Sequence, residues 1–287
     1  MPIERAGSIA LIGRPNAGKS TLLNQVIGEK VSITASKPQT TPNRVVGIFT
    51  RADAQVVMVD TPGIHIAKSR MNKAMVRAAE TSLADVDAVC WVVDGIKAID
   101  RLEKRRPVVH GGDKHIAALI AASGVPATVA LNKVDKVSKR KLLPVMAAYG
   151  QAMPGIDLVP ISALKGTGVD TLVDIWAGQL PEGSAIFPED QIMDGSERFL
   201  VSELIREKVF RLTMQEVPYS TAVDIEKFDE TQREGEAPRV HIYARILVER
   251  DSQKGILIGK GGAMLKQIGT MARKDMQRLL GAHVFLE

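Results

Sequence analysis

Gly13-Arg14-Pro15-Asn16-Ala17-Gly18-Lys19-Ser20 is the stretch from which the fold can be read. An apolar run, Ile9-Ala10-Leu11-Ile12, precedes it, and Thr21–Ile27, which can form a helix, follows it. Strand, GxxxxGK[ST] and helix in that order make a phosphate-binding loop. From average residue usage the pattern arises by chance in roughly 1% of chains this long, and its flanks lower that further. The glycines let the backbone wrap a phosphate chain, so that successive N–H groups and the helix N-terminus face the negative charge. The expected phosphate-binding set is Gly13, Asn16, Ala17, Gly18, Lys19, Ser20 and Thr21. Within it, Lys19 can reach the β/γ-phosphate oxygens and the Ser20 hydroxyl can ligate Mg²⁺.

Outward from this loop, residues 1–180 alternate short β-rich runs with longer helical patterns. The runs are Ser8–Ile12, Val45–Thr50, Gln55–Val59, Ala88–Val93, Ala127–Leu131 and Leu158–Ile161. The helical patterns are Lys19–Ile27, Lys68–Ala84, Gly112–Ala122, Lys139–Tyr149 and Val169–Leu180. Such alternation predicts an α/β domain whose mostly parallel sheet is covered by helices on both faces. Only Arg51–Ala54 separates the second run from the third, too little for a crossover helix, so an antiparallel hairpin and one antiparallel edge strand are expected.

Residues 181–195 lack periodicity, contain Pro181, Gly183 and Pro188, and read as a linker. Beyond it, residues 196–287 read as a second, α+β domain. Glu197–Thr213 is an amphipathic helix, and Thr221–Phe228 and Arg239–Arg250 alternate as half-buried strands around the polar loop Asp229–Pro238. Gly259-Lys260-Gly261-Gly262 then leads into a helix, Ala263–Leu280, whose apolar face is Leu265, Ile268, Ala272, Met276 and Leu279. A third strand is expected within Ala282–Glu287.

The totals narrow the class. The 287 residues, 45% of them hydrophobic, suffice for one or two well-packed domains. A single cysteine, Cys90 in an apolar run, excludes an internal disulfide framework and suits a reducing cytosol. No apolar run approaches the 18 or so residues needed to cross a bilayer, and the N-terminus is too short in apolar residues for a signal peptide. A formal charge of +5 is compatible with an anionic partner. The five histidines are scattered without metal-ligand spacing, so no zinc site is expected.

A phosphate loop alone leaves ATP and GTP open. Asn132-Lys133-Val134-Asp135, directly after a β run, discriminates between them. The Asp135 carboxylate can accept from N1–H and the 2-amino group of guanine, whereas adenine would leave it unpaired. Asn132 would fix the loop and the Lys133 stem would pack over the base. Ser162, Ala163 and Leu164, after another strand, are placed to brace the base. Asp60-Thr61-Pro62-Gly63 ends the third run; Asp60 can hold Mg²⁺ through water, and the Gly63 N–H can approach a γ-phosphate. In Ser36–Pro42, Thr41 rather than Thr40 is the expected additional Mg²⁺ ligand. Ile64 stands where Ras-like GTPases place a water-orienting glutamine, which predicts slow intrinsic turnover.

These motifs together resemble a translation-factor-class P-loop GTPase, and Gly13–Ser20 with Gln39-Thr40-Thr41 and Asp60-Thr61-Pro62-Gly63 resembles the Era group. That group carries basic residues after the Thr-Thr pair, where this chain has Pro42-Asn43. A lone GxxG is weak, since about two are expected by chance at this glycine content. In the order helix, strand, strand, GxxG and helix it resembles a type II KH domain, whose loop clamps single-stranded nucleic acid. The RNA-binding set is then Gly259, Lys260, Gly261, Gly262, Lys254, Lys266 and Arg273. Chains of that group continue past the last strand, so a C-terminal truncation at Glu287 is one reading of the end.

The resemblance implies GTP/GDP and Mg²⁺ as ligands, with Asn16 as a K⁺ ligand by analogy with K⁺-activated relatives. It also implies binding near the 3′ end of 16S-type small-subunit ribosomal RNA during 30S assembly, by a cytoplasmic monomer. Peripheral contact with the inner face of the cell membrane is implied too, although no amphipathic anchor is visible. Two other readings stay open at this level: a GTPase signalling switch whose second domain binds protein, and a passive RNA-binding factor with a structural nucleotide site.

Overall fold

In a computed structural model of the chain, the apolar run ahead of the phosphate loop becomes β1 (Arg5–Gly13), with Ile9–Ile12 fully buried. The structure describes residues 3–34, 45–60, 83, 85–213, 217–234 and 237–287. Contacts divide the chain into two units; the first includes residues 45–194, and Ile33 and Thr34 count with the second.

In the first unit, β1 is the central strand of a seven-stranded sheet. The others are β2 (Val45–Thr50), β3 (Ala54–Asp60), β4 (Ala88–Asp94), β5 (Ala127–Asn132), β6 (Asp157–Pro160) and β7 (Met193–Asp194), in the order β6-β5-β4-β1-β3-β2-β7. β1 pairs in parallel with β3 and β4, and β4–β5–β6 continue in parallel. β3 and most of β4 are buried throughout, as strands covered on both faces must be. The described helices of this unit are α1 (Lys19–Ile27), α2 (Gly95–Glu103), α3 (Gly111–Ser123), α4 (Lys139–Ala152) and α5 (Val169–Gln179). On one side Trp91, Ile116, Ile120, Val129, Val145 and Tyr149 form the core.

The β2–β3 hairpin is antiparallel, as its short connection requires. β2 is not the outermost strand, however. The two-residue β7 pairs antiparallel with Val46 and Gly47 beyond it. The buried Gln55 side chain accepts from the Ile186 and Phe187 N–H groups at 2.7 and 2.9 Å, tying the aperiodic segment to the sheet. α2 also escaped the pattern reading. Its nine residues include four charged ones, and what starts it is the Asp94 carboxylate, which accepts from Ile96 N and Lys97 N. The helix expected over Lys68–Ala84 lies outside the described residues, apart from Leu83.

The second unit contains α6 (Glu197–Leu212), β8 (Thr221–Gln232), β9 (Arg239–Val248), α7 (Asp251–Ile258), α8 (Ala263–Leu280) and β10 (His283–Leu286). β8 runs antiparallel and β10 parallel to the central β9. Val201, Ile205, Val240, Ile242, Ile268 and Met276 meet in its core. β8 extends into what was expected to be loop, as far as Gln232.

Two features of this unit differ from the pattern. The segment before Gly259 is a helix, α7, which the periodicity did not assign. The buried Gln253 side chain accepts from Glu249 N and Arg250 N at 3.1 Å and donates to Ser220 at 2.8 Å, which fixes its first turn. And Leu265 leaves the core face of α8: it is 45% exposed, and Leu280 is buried in the core beside Ile268, Ala272 and Met276.

Candidate functional sites

The parallel strands β1, β3, β4 and β5 deliver Gly13, Asp60, Asp94 and Asn132 to one end of the first sheet, where open α/β sheets hold ligands. The loop from Gly13 closes on itself through Ala17 N donating to Arg14 O at 3.2 Å. Asn16 takes the left-handed conformation (φ 62°), which asparagine tolerates better than most residues. Gly18, the N-cap of α1, must be glycine on two counts: its φ is 105°, and a Cβ would run into the Asn132 amide.

Asn132, 2% exposed, is the hub. Its Nδ2 donates to Ala17 O at 2.9 Å, and its Oδ1 accepts from Lys133 N at 2.7 Å and Ala163 N at 2.9 Å. One side chain thus ties the phosphate loop, the Asn132–Asp135 turn and the Ser162–Leu164 loop together. Lys133 sits at φ 69°, and its ammonium donates to Asn16 O at 2.6 Å and to Asp94 Oδ2 at 2.7 Å. A non-glycine residue held at positive φ by two hydrogen bonds is backbone strain maintained by the site. The Asp135 carboxylate accepts from Ser162 Oγ at 2.7 Å, and Leu164 is exposed.

Ser20 Oγ donates to Asp60 Oδ2 at 2.6 Å, and Ser32 Oγ donates to the same oxygen at 3.1 Å. Asp60 is fully buried, and its other oxygen, Oδ1, has no hydrogen-bond partner among the described residues. Burial raises its pKa, against the pull of Lys19, Ser20 and Ser32. Burial likewise lowers the pKa of Lys19, whose ammonium lies 3.4 Å from Gly13 O, and the Asp60 charge opposes that shift. A buried carboxylate with one orphaned oxygen, beside a serine hydroxyl, is an oxygen donor set suited to a hard divalent cation. The residues present therefore fit Mg²⁺. Thr41, Gly63 and Ile64 lie outside the described residues; Thr21 is half-buried at the start of α1.

Three contributors were missed in the sequence. Asp94 anchors Lys133; the signal for it was an aspartate closing a strand ahead of a helix. Ser32 shares Asp60 with Ser20. Asn24 pins that serine, accepting from Val31 N and Ser32 N at 3.0 and 2.9 Å and donating to Ser32 O at 2.7 Å. Nothing in the local sequence marks either of the last two.

In the second unit, Gly259, Gly261 and Gly262 all have positive φ, and Gly262 N donates to Gly259 O at 3.2 Å. At Gly259 a Cβ would approach Met264 Cβ to 2.7 Å, so this glycine lets α8 start close against the loop. Beside the loop lies a groove of about 610 Å³. Ala244, Ile246, Leu257 and Leu265 line it, and Lys254, Lys266 and Arg273 stand along it. Lys260 is exposed and is not part of the lining. An aliphatic floor edged by cations and next to a glycine loop can take flat apolar bases while charges and N–H groups meet the phosphates.

Comparisons with known proteins agree with this geometry. A model of the 50S ribosome-binding GTPase family matches residues 8–133, and a KH-domain model matches residues 216–287. Among solved structures, Era in complex with MgGDPNP and nucleotides 1506–1542 of 16S ribosomal RNA superposes with a TM-score of 0.87 at 37% identity, covering 99% of this chain and 92% of that one. A variant of Aquifex aeolicus Era bound to GDP·AlF4⁻ gives the same TM-score, identity and coverage. GTPase Era of Geobacter sp. (strain M21) is 49% identical over 283 residues, 99% of this chain and 91% of that protein. Identity at that level along nearly the whole length makes this chain a member of the Era family, and a GTPase.

Proposed function

We propose that this chain is a GTP-driven switch that binds small-subunit ribosomal RNA near its 3′ end and acts in assembly of the 30S subunit in the cytoplasm. The observation that carries this is the match, over 99% of the chain, to an Era whose structure holds both MgGDPNP and nucleotides 1506–1542 of 16S ribosomal RNA. Nucleotide handling belongs to the unit built on residues 1–180, to whose sheet β7 adds Met193 and Asp194, and RNA binding belongs to residues 196–287. The spans of the two family models, 8–133 and 216–287, support that division.

In the first domain, the N–H groups of Gly13–Thr21 wrap the phosphates, and Lys19 exchanges its contact with Gly13 O for β/γ oxygens. That exchange favours the charged ammonium, because a polyanion compensates the burial that lowers its pKa. Asp135 accepts from the guanine edge while Ser162, Ala163 and Leu164 brace the base. Ser20, Thr41 and Asp60 would hold Mg²⁺, which neutralises charge on the phosphate oxygens. The Gly63 N–H reports whether a γ-phosphate is present. In the second domain, Gly259–Gly262 clamps the RNA backbone, with Lys254, Lys266 and Arg273 beside it.

The test is binding of the full chain to an RNA carrying that 3′ segment, with GTP turnover followed in parallel. Saturable RNA binding and hydrolysis abolished by Lys19→Ala are expected. Absence of RNA binding would favour a protein-binding second domain, and unchanged hydrolysis in Lys19→Ala would reduce the nucleotide to a structural ligand. Asn16 is further proposed to ligate K⁺, supported by the resemblance to K⁺-activated relatives and by Ile64 in place of a water-orienting glutamine. The expected result is a higher kcat in KCl than in NaCl at matched ionic strength; equal rates contradict it.

A further inference from the structure

Arg14 is a phosphate-loop residue outside the expected nucleotide contacts. Its backbone carbonyl closes the loop turn on Ala17 N, while its guanidinium turns away and donates through Nη1 to His110 Nε2. His110 is the N-cap of α3 and is mostly buried, its side chain 17% exposed. On its other side, Nδ1 lies 3.5 Å from Asp113 Oδ2, one turn into the same helix. The Tyr149 hydroxyl of α4 donates to that same carboxylate oxygen at 3.2 Å. Tyr149 is itself 1% exposed and is wedged edge-on against Trp91 at 5.3 Å between ring centroids.

The chain of contacts has one sense. With Nδ1–H directed at Asp113, Nε2 presents its lone pair to Arg14. A cavity of about 20 Å³ beside the cluster is lined on one side by Asp94, Lys97 and Arg101. Of these, Asp94 is engaged by Lys133, and Arg101 donates to Pro107 O at 2.7 Å. The charges facing His110 from the loop, β4, α2, α3 and α4 are thus Arg14, Asp94, Lys97, Arg101 and Asp113, with the Tyr149 hydroxyl. The nearest full charge to Nε2 is the Arg14 cation, which only the neutral ring can accept from.

We infer that His110 is a positioning residue for the nucleotide: backed by Asp113 and Tyr149, it clamps Arg14 and so holds the outer limb of the phosphate loop in its nucleotide-ready shape. The clamp opens in acid. Protonation at Nε2 removes the acceptor and sets imidazolium against guanidinium. Burial, with Arg14 and Arg101, already holds the His110 pKa below its ordinary 6.5, and Asp113 pulls the other way. With the folded value lowered, the unfolded chain binds the proton more readily. The clamp's contribution to stability is therefore complete above pH 6.5 and is lost as pH falls below it.

The inference rests on nucleotide binding by the Gly13–Ser20 loop, and the test separates the two. Release of a fluorescent GDP analogue from the full-length protein, with Mg²⁺, is timed between pH 5 and 8 for the wild type, His110→Ala, His110→Gln and Tyr149→Phe. If the wild type fails to bind GDP at pH 8, the nucleotide assignment itself is wrong. If it binds, release should accelerate in acid, below pH 6.5, as the lowered pKa of the folded-state imidazole is crossed. His110→Ala should release about tenfold faster at pH 8. His110→Gln, whose amide oxygen still accepts from Arg14, should hold GDP at the wild-type rate with a flat pH profile. Tyr149→Phe, which keeps the ring packing, should fall between. Wild-type release by His110→Ala overturns the inference, and so does an acid acceleration that survives in His110→Gln. If His110→Ala does not fold, the pH profile of His110→Gln decides.

Discussion

In the nucleotide site Asn132, Lys133 and Asp60 are all bonded to the Gly13–Ser20 stretch, whereas the KH groove stands its cations along a bare aliphatic floor. The first is a set of buried polar atoms cross-linked between Ala17, Asn16, Asp94, Ser20 and Ala163. In the second, among the described residues, Lys254, Lys266 and Arg273 have no ion-pair partner. The contrast follows from what each must recognise. A purine edge is told apart by donors and acceptors at fixed positions, which requires preorganised polar atoms. A single-stranded backbone offers repeating charge and flat bases, for which a glycine loop, mobile cations and an apolar groove suffice.

The largest effect should come from disturbing the fixed pattern. Asp135→Asn replaces an acceptor by a donor opposite the guanine edge, and GTP affinity should fall about a thousandfold. Xanthosine triphosphate, which presents a carbonyl where guanine has its amino group, should bind better to the variant than to the wild type. Titration calorimetry with both nucleotides checks this, and RNA affinity measured without nucleotide should not change.

Next comes Asn132→Ala. It strips partners from Ala17 O and Ala163 N inside a buried hub, so unfolding should become easier by about 3 kcal/mol. Denaturant titration reads the loss, and it should appear in the first domain only. Gly262→Asp probes the other side. The position is open, with nothing within 4 Å of the point a Cβ would occupy, and its φ of 80° suits aspartate better than most residues. The added charge should lower RNA affinity about tenfold by repelling phosphate while GTP turnover is kept. The smallest effect is expected from Lys266→Ala. It should weaken RNA binding a few-fold and flatten the log–log salt dependence by about 0.7 for a single-stranded contact. An equally large loss from Lys266→Ala and Asp135→Asn in their own assays would erase the distinction between the two sites.

Much of the fold was legible because its signals are local. β1, α1 and the loop between them are written in consecutive residues, and the short Arg51–Ala54 connection dictated the β2–β3 hairpin. The misses depend on side-chain contacts that periodicity does not show, some to partners distant in sequence and some to local caps. β7 exists because Gln55 holds residues 186–187 against the sheet. α2 and α7 begin where Asp94 and Gln253 cap them, and both segments mix charge or glycine into what would otherwise read as a helix. On α6, Glu203, Arg206, Glu207 and Lys208 are buried despite their charge because they pair: Arg206 with Glu203 at 2.6 Å, and Lys208 with Glu207 at 2.6 Å and with Asp275 of α8. Periodicity could not announce them.

The same holds for the candidate sites. Gly13–Ser20 stands out by its spacing, and Asn132–Asp135 and Gly259–Gly262 by spacing together with the order of the elements around them. Asp94, Asn24, Ser32 and His110 do not, since each acts by holding another residue, and such roles need three dimensions to be seen. Leu265 shows the converse. Its helical spacing assigns it to the core, yet the turn of α8 nearest the glycine loop faces the groove, where an exposed leucine can lie against a base.

The most direct measurement is the affinity of the full-length protein for an RNA bearing the 3′ end of small-subunit ribosomal RNA, taken once with GDPNP and Mg²⁺ and once with GDP and Mg²⁺. A switch that governs RNA handling predicts tighter binding with GDPNP. The same affinity in both nucleotide states would contradict it.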